Sequence, residues 1–126
     1  MAKKVIHTDN APKAVGPYSQ AIQMGDLLFC SGQISIDPKT NEVFTGDIKT
    51  QTEMVMKNIE AVLGAAGLNY GHIVKTTIFL TNMSDFATVN EIYAKAFKDA
   101  PPARSTVAVA GLPKGVNVEI EVLAHR

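Results

Sequence analysis

Residues 101–122, PPARSTVAVAGLPKGVNVEIEV, alternate apolar and polar side chains in two runs separated by a short loop. A period of two is typical of β-strands, because successive side chains point to opposite faces of a sheet. The polar side carries Arg104, Glu119 and Glu121, whereas strand surfaces more often carry threonine, tyrosine or valine. The stretch therefore predicts two strands, Arg104 to Ala110 and Val116 to Ala124, with three charged side chains that need a partner.

The alternation places Arg104 and Thr106 on one side of the first strand and both glutamates on one side of the second. The short connection AGLPKG favours pairing of these two strands, which would bring Arg104 close to Glu119. One interpretation is a cross-strand ion pair at a subunit interface. The other is a receptor, in which Arg104, stiffened by the two prolines before it, binds a carboxylate through two parallel hydrogen bonds.

The rest of the chain predicts the element order ββ(β)αβαββ. Gly25-Asp26 separates two apolar runs and indicates a hairpin, while an apolar stripe over residues 48–66 predicts a helix that Gly67 ends. HIVKTTIFLT reads as a strand, and Ser84 is the expected cap of a second helix that ends at the prolines before Arg104. Two such helices cover one face of a sheet of about six strands. We expect the other face, with Arg104 on it, to lie against another subunit.

Length and charge narrow the class of protein. With 126 residues the chain is expected to form one domain, 1–126, and its 12 basic and 12 acidic residues are scattered, which argues against binding to nucleic acid or to a membrane surface. The single cysteine, Cys30, and a start without an apolar segment favour a cytosolic protein. The three histidines share no ligand spacing with Cys30, so no metal site is predicted.

Several other side chains have both a structural and a functional interpretation. Tyr18 follows a Gly-Pro turn and can either contact a ligand or pack on its own loop. Gly32, in the segment Ser31 to Gln33, permits close approach of the backbone to a ligand or serves a turn. Asn90 lies on the polar side of the second helix and would by default be solvated. Cys30 sits in an apolar run without a neighbouring base, which favours a packing role over a nucleophilic one.

The segments GPYSQA, CSGQI, VKTTIFL, DFATVNEIY and PPARSTVAVAGLPKGVNVEIEV resemble the RidA/YjgF/UK114 family of reactive-intermediate deaminases over essentially the whole chain. The resemblance implies a chorismate-mutase-like α+β fold, a homotrimer with active sites between subunits, and no cofactor. It also implies hydrolysis of 2-imino acids, such as 2-iminobutanoate and 2-iminopropanoate, to 2-oxo acids and ammonia. Family members often have cysteine at the position of Thr106 and arginine at that of Gly111.

The same resemblance assigns roles by position. Arg104 corresponds to the arginine that binds the substrate carboxylate and Glu119 to the glutamate that engages the attacking water, while Glu121 corresponds to no contact. The surrounding substrate-binding positions are Tyr18, Ser31, Gly32, Asn90 and Thr106, the last through its backbone N–H. An arginine, a carboxylate and backbone donors suffice to hydrolyse a protonated imine without a covalent nucleophile. The alternatives are a regulatory module that binds 2-oxo acids and a ribonuclease or translation inhibitor.

Overall fold

The computed structural model describes residues 2–126, and its strands and helices follow the predicted order. Six strands form one sheet in the order β1-β2-β3-β6-β4-β5, in which only β4 and β5 run parallel. The elements are β1 Lys4–Ile6, β2 Ala21–Met24, β3 Leu27–Gln33, α1 Ile48–Ala65, β4 Ile73–Leu80, α2 Phe86–Ala94, β5 Ala103–Ala108 and β6 Val118–His125. Within residues 2–126 no helix is long and apolar enough to cross a membrane.

Local signals explain several of the element boundaries. Gly25 takes a φ of 57° in the β2–β3 hairpin, and Gly67, at φ 75°, ends α1 as predicted. The side chain of Asp47 caps the start of α1 by accepting a hydrogen bond from the Thr50 N–H at 2.9 Å. The predicted Ser84 cap is wrong, because its N–H is itself bound by the Asn82 side chain in a single 3-10 turn that precedes α2.

The two faces of the sheet differ in what covers them. Both helices pack on the face from which β4 and β6 bury alternate apolar side chains, including Ile78, Leu80 and Ile120. The other face, here called the open face, has no helix. It presents Phe29, which is 47% exposed, and Val107, which is 40% exposed. Its remaining members from β4 and β6 include Thr77, Phe79, Glu119, Glu121 and Leu123.

The predicted pairing of the strands that carry Arg104 and Glu119 is wrong. β5 pairs in parallel with β4, and β6 runs antiparallel between β3 and β4, so that β4 separates the two strands. The reason lies outside the quoted stretch. Parallel strands need a crossover, and α2 provides one between β4 and β5, which moves β5 to the outer edge and leaves the position beside β4 to β6.

The expected face of Arg104 is also wrong. Arg104 lies opposite Thr76 and Thr106 lies opposite Ile78, and both β4 residues are buried beneath the helices. Because directly opposed residues project to the same side of a sheet, Arg104 and Thr106 face α2 and not the open face. Glu119 lies opposite Phe79 and faces the open side.

Candidate active site

The first part of the candidate site surrounds Arg104 at the edge of the sheet. Its Nη1 donates a hydrogen bond to Asn90 Oδ1 at 2.6 Å, and its guanidinium carbon lies 5.3 Å from the ring centre of Phe86 and 5.1 Å from that of Tyr93. Phe86, Asn90 and Tyr93 follow one another at helical spacing along one face of α2. A single helix therefore holds the guanidinium by cation–π contact with two aromatic rings and by one hydrogen bond.

The aromatic support of Arg104 is itself anchored. Tyr93 is buried, and its hydroxyl shares a hydrogen bond with Thr76 Oγ1 at 2.7 Å. Burial raises the pKa of Tyr93, an effect that the Thr76 bond and the Arg104 charge oppose, so the phenol stays neutral at physiological pH. Arg104 is exposed and has other N–H donors besides the one that binds Asn90, which leaves it able to bind an anion.

The second part is a cleft of about 370 Å³ on the opposite side of β4 from Arg104. Four of the predicted site residues line it, and these are Tyr18, Ser31, Gly32 and Glu119. Its walls come from the connector before β2, the end of β3 and the turn before β6, including Pro12, Lys13, Val15, Gln33, Ile34, Ile36, Pro113 and Lys114. A larger groove of about 800 Å³ lies along α1, but no predicted site residue lines it.

Glu119 is the carboxylate of this cleft and is half-buried. Burial raises its pKa above the ordinary glutamate value, and the nearby charge of Glu121 adds to the effect. The carboxylate lies so close to Gly32 that a β-carbon at that position would collide with it. The β3–β6 register shifts between Cys30 and Gln33, so Gly32 lies in a β-bulge that admits the carboxylate.

Ser31 holds the connector that carries Tyr18. Its hydroxyl donates to the Ser19 carbonyl at 2.6 Å, and its N–H donates to the Gln20 carbonyl at 2.9 Å. The Ser31 proton is therefore used within the protein, while its oxygen can still accept a bond. Tyr18 is exposed at the mouth of the cleft, and its hydroxyl accepts a weak hydrogen bond from the Val15 N–H at 3.4 Å.

Sequence reasoning missed Gln20, which is 2% exposed and fixes the same connector. Its side-chain amide bonds to both the N–H and the carbonyl of Thr8, at 2.7 and 3.0 Å, and to the Pro12 carbonyl at 2.8 Å. It also missed Phe86 and Tyr93 as supports of Arg104. Their apolar helical stripe was visible in the sequence, but the strand that packs against it was not.

Two other predicted assignments concern residues outside the cleft. Glu121 does not line it, and lies exposed on the open face opposite Thr77. Burial raises the pKa of Cys30 to about 12, so its thiol is neutral at physiological pH, in agreement with a packing role.

One chain thus carries two partial sites. Arg104, Asn90 and Thr106 lie on the helix-covered side of the edge strand β5. Tyr18, Ser31, Gly32 and Glu119 lie around the cleft beside β3 and β6. The exposed guanidinium of Arg104 and the half-buried carboxylate of Glu119 are both present, but β4 separates their strands and they face opposite sides of the sheet.

Known proteins resemble this chain in sequence and in fold. The family model described as Endoribonuclease L-PSP matches residues 8–126. The chain is 56% identical to Protein DfrA of Myxococcus xanthus, covering 98% of this chain and 96% of that protein. It is 44% identical to the 2-iminobutanoate/2-iminopropanoate deaminase of Mus musculus, covering 97% and 90%.

Among solved structures, TdcF of E. coli with bound serine superposes with a TM-score of 0.93 at 44% identity, covering 98% of each chain. The fold predicted from the resemblance is confirmed, as a mixed sheet of six strands with two helices on one face. The chain therefore belongs to the Endoribonuclease L-PSP family, which is the RidA/YjgF family of reactive-intermediate deaminases.

Proposed function

We propose that the protein hydrolyses small 2-imino acids, such as 2-iminobutanoate and 2-iminopropanoate, to 2-oxo acids and ammonia. The observation that carries the proposal is the half-buried Glu119 carboxylate, which packs against Gly32 in the cleft. Burial raises the pKa of this carboxylate. A general base works best when its pKa approaches the working pH. The deaminase name of the mouse relative supports the same reaction.

The proposed chemistry uses only the residues described. Arg104 binds the substrate carboxylate through two N–H donors and so places the imine carbon beside a water held by Glu119. Glu119 takes a proton as the water oxygen adds to the carbon of the protonated imine, which gives a carbinolamine. It then returns this proton to the amino nitrogen, ammonia leaves as the carbonyl forms, and the hydroxyl proton passes to solvent.

The separation of the two partial sites supports a site that is shared between subunits. Arg104 and Glu119 cannot contact one substrate within one chain, so we propose a homotrimer in which Arg104 of one subunit faces the cleft of its neighbour. The apolar open face, with Phe29 and Val107 exposed, supports association. We expect the trimer to act in the cytosol on products of amino-acid dehydratases and other pyridoxal-phosphate enzymes.

Two other functions lead to different expectations. A sensor of 2-oxo acids would use Arg104 in the same way but would not need the carboxylate of Glu119. An endoribonuclease, as the family model is described, would require a positively charged surface for phosphates. The balance of 12 basic and 12 acidic residues gives this function little support.

The direct test follows 2-oxo acid formation when the purified protein is added to a dehydratase that generates 2-iminobutanoate. We expect release above the spontaneous rate, and an unchanged rate would contradict the proposal.

The shared site is tested by combining inactive Glu119→Gln and Arg104→Lys chains in one assembly. In a cyclic trimer about one quarter of the sites of a random mixture regain both intact residues, so activity should return. A mixture that assembles but stays inactive would place each site within one chain.

A further inference from the structure

Gln51 is a buried amide at the start of α1, with no exposed surface. A buried amide is costly unless both of its ends are hydrogen-bonded. Its Nε2 donates to the Gly46 carbonyl at 2.9 Å and to Asn117 Oδ1 at 3.0 Å, and its Oε1 accepts from the Asn117 N–H at 2.9 Å. Two of these three bonds therefore join α1 to one residue, 66 positions further along the chain.

Asn117 is held by all of its polar groups. Besides the two bonds to Gln51, its Nδ2 donates to Thr81 Oγ1 at 2.9 Å, and its carbonyl accepts from the Thr81 N–H at 3.2 Å. Asn117 stands just before β6 and two residues before Glu119. The turn ahead of it contains Lys114 and Gly115 with φ of 57° and 74°, and Lys114 lines the cleft.

We infer that Gln51 and Asn117 are positioning residues for the deaminase reaction, which fix the start of β6 so that the Glu119 carboxylate enters the cleft above Gly32. The carboxylate packs against Gly32 there, so closely that a β-carbon at this position would collide with it. A shift at Asn117 would be transmitted along two residues of extended backbone to Glu119. Misplacement of a reacting group by about 1 Å can cost a hundredfold in rate. The inference rests on the proposed function.

A purely stabilising role for Gln51 predicts something different, and Thr52 supplies the matched control. Thr52 is adjacent on α1 and equally buried, but its hydroxyl donates to the Ile48 carbonyl at 2.8 Å within the helix. Thr52→Val and Gln51→Leu therefore each remove buried hydrogen bonds of α1. Only the second breaks the link to β6.

The kinetic test measures kcat and KM for 2-iminobutanoate in both variants, each made in the wild-type and the Glu119→Gln backgrounds. We expect Gln51→Leu to lower kcat by about tenfold to a hundredfold with little change in KM, and Thr52→Val to leave both near wild type. In the Glu119→Gln background Gln51→Leu should cost nothing further, because it acts through Glu119. An equal loss in both backgrounds, or equal effects of the two variants, would overturn the inference.

A second measurement does not depend on deaminase activity. Titration of the Glu119 carboxyl carbon by NMR should show a lower pKa in Gln51→Leu than in wild type, because a displaced carboxylate is better solvated, and no change in Thr52→Val. Both variants leave the neighbouring Glu121, Lys13 and Lys114 in place. A lowered pKa in a protein without deaminase activity would refute the proposed function but retain the positioning role.

An unchanged Glu119 pKa in folded Gln51→Leu would reject the positioning role whatever the activity. If Gln51→Leu does not fold, Thr81→Val replaces it, since it removes only the bond to Asn117 Nδ2. The same downward shift, of smaller size, is then expected. Its absence in the folded Thr81→Val protein would count against the inference.

Discussion

The Arg104 region exposes its charged side chain to solvent, whereas the Glu119 region partly buries its own. Arg104 is exposed on an edge strand and is held from one side by three residues of α2. Glu119 is half-buried in a cleft, where its carboxylate packs against Gly32. A guanidinium keeps its charge in any surroundings, so it needs only orientation, whereas a carboxylate becomes a useful base only when burial raises its pKa. In the proposed reaction, the Arg104 region binds the substrate carboxylate and the Glu119 region transfers the proton.

The largest expected effect separates the two glutamates of β6. Glu119→Gln should lower the deamination rate by about a hundredfold to ten-thousandfold, because glutamine can hold a water but cannot take its proton. Glu121→Gln makes the same chemical change two residues away and should leave the rate at neutral pH near wild type. Initial rates with 2-iminobutanoate measure both.

Binding of a 2-oxo acid should survive in Glu119→Gln, because Arg104 is intact, and calorimetry can verify this. If both variants keep the parent rate, Glu119 is an interface residue and the sensor function gains support. If Glu121→Gln is the inactive variant, the catalytic role belongs to the other glutamate.

The next largest effect tests the proposed role of Arg104 in binding the substrate carboxylate. Arg104→Lys should reduce kcat/KM by about two to three decades, or roughly 3 to 4 kcal/mol, because an ammonium cannot form two parallel hydrogen bonds with a carboxylate. The matched control is Arg126→Lys, since Arg126 bonds the Ala66 carbonyl at 2.8 Å, away from both partial sites. Near-normal kcat/KM in Arg104→Lys would return Arg104 to a structural role.

A smaller effect concerns the fit between Gly32 and Glu119. Gly32→Ala should lower kcat by roughly tenfold, because the added methyl group forces the carboxylate or the bulge to move. Gly111→Ala is the control, since no atom lies within 4 Å of the β-carbon it would gain. Steady-state rates of the two folded variants give the answer. Equal, unchanged rates would show that the close approach at Gly32 has no bearing on proton transfer.

The sequence predicted what depends on neighbouring residues and failed where distant segments decide. Hairpin, helix and strand signals are local, and so is the alternation that puts Arg104 and Thr106 on one side of β5. That alternation could not predict which face of the sheet the two residues share, because no residue of β5 is fully buried in the core. The pairing of β5 with β4 could not be predicted from the stretch either, because it depends on the crossover that α2 provides.

The buried polar residues were missed for a related reason. Gln51 sits four residues before the buried Val55 on the apolar stripe of α1, so its position did signal burial. The position of Gln51 did not identify Asn117 as its hydrogen-bond partner, since the two residues are far apart in the chain. Gln20 follows no periodic pattern, because the connector that it fixes is irregular.

The smallest predicted effect tests whether surroundings set the base strength of Glu119. The Glu121 charge contributes to the raised pKa of Glu119, so Glu121→Gln should lower that pKa. The substitution leaves the other titratable groups that line the cleft, Tyr18, Lys13 and Lys114, in place. The base must be deprotonated to act, so activity falls as the pH drops through the Glu119 pKa. The acidic limb of kcat/KM should therefore move to lower pH, which makes Glu121→Gln more active than wild type in acid and equal to it at neutral pH. A limb that stays at the wild-type pH would mean that the Glu121 charge has no effect on Glu119, and that burial alone raises its pKa.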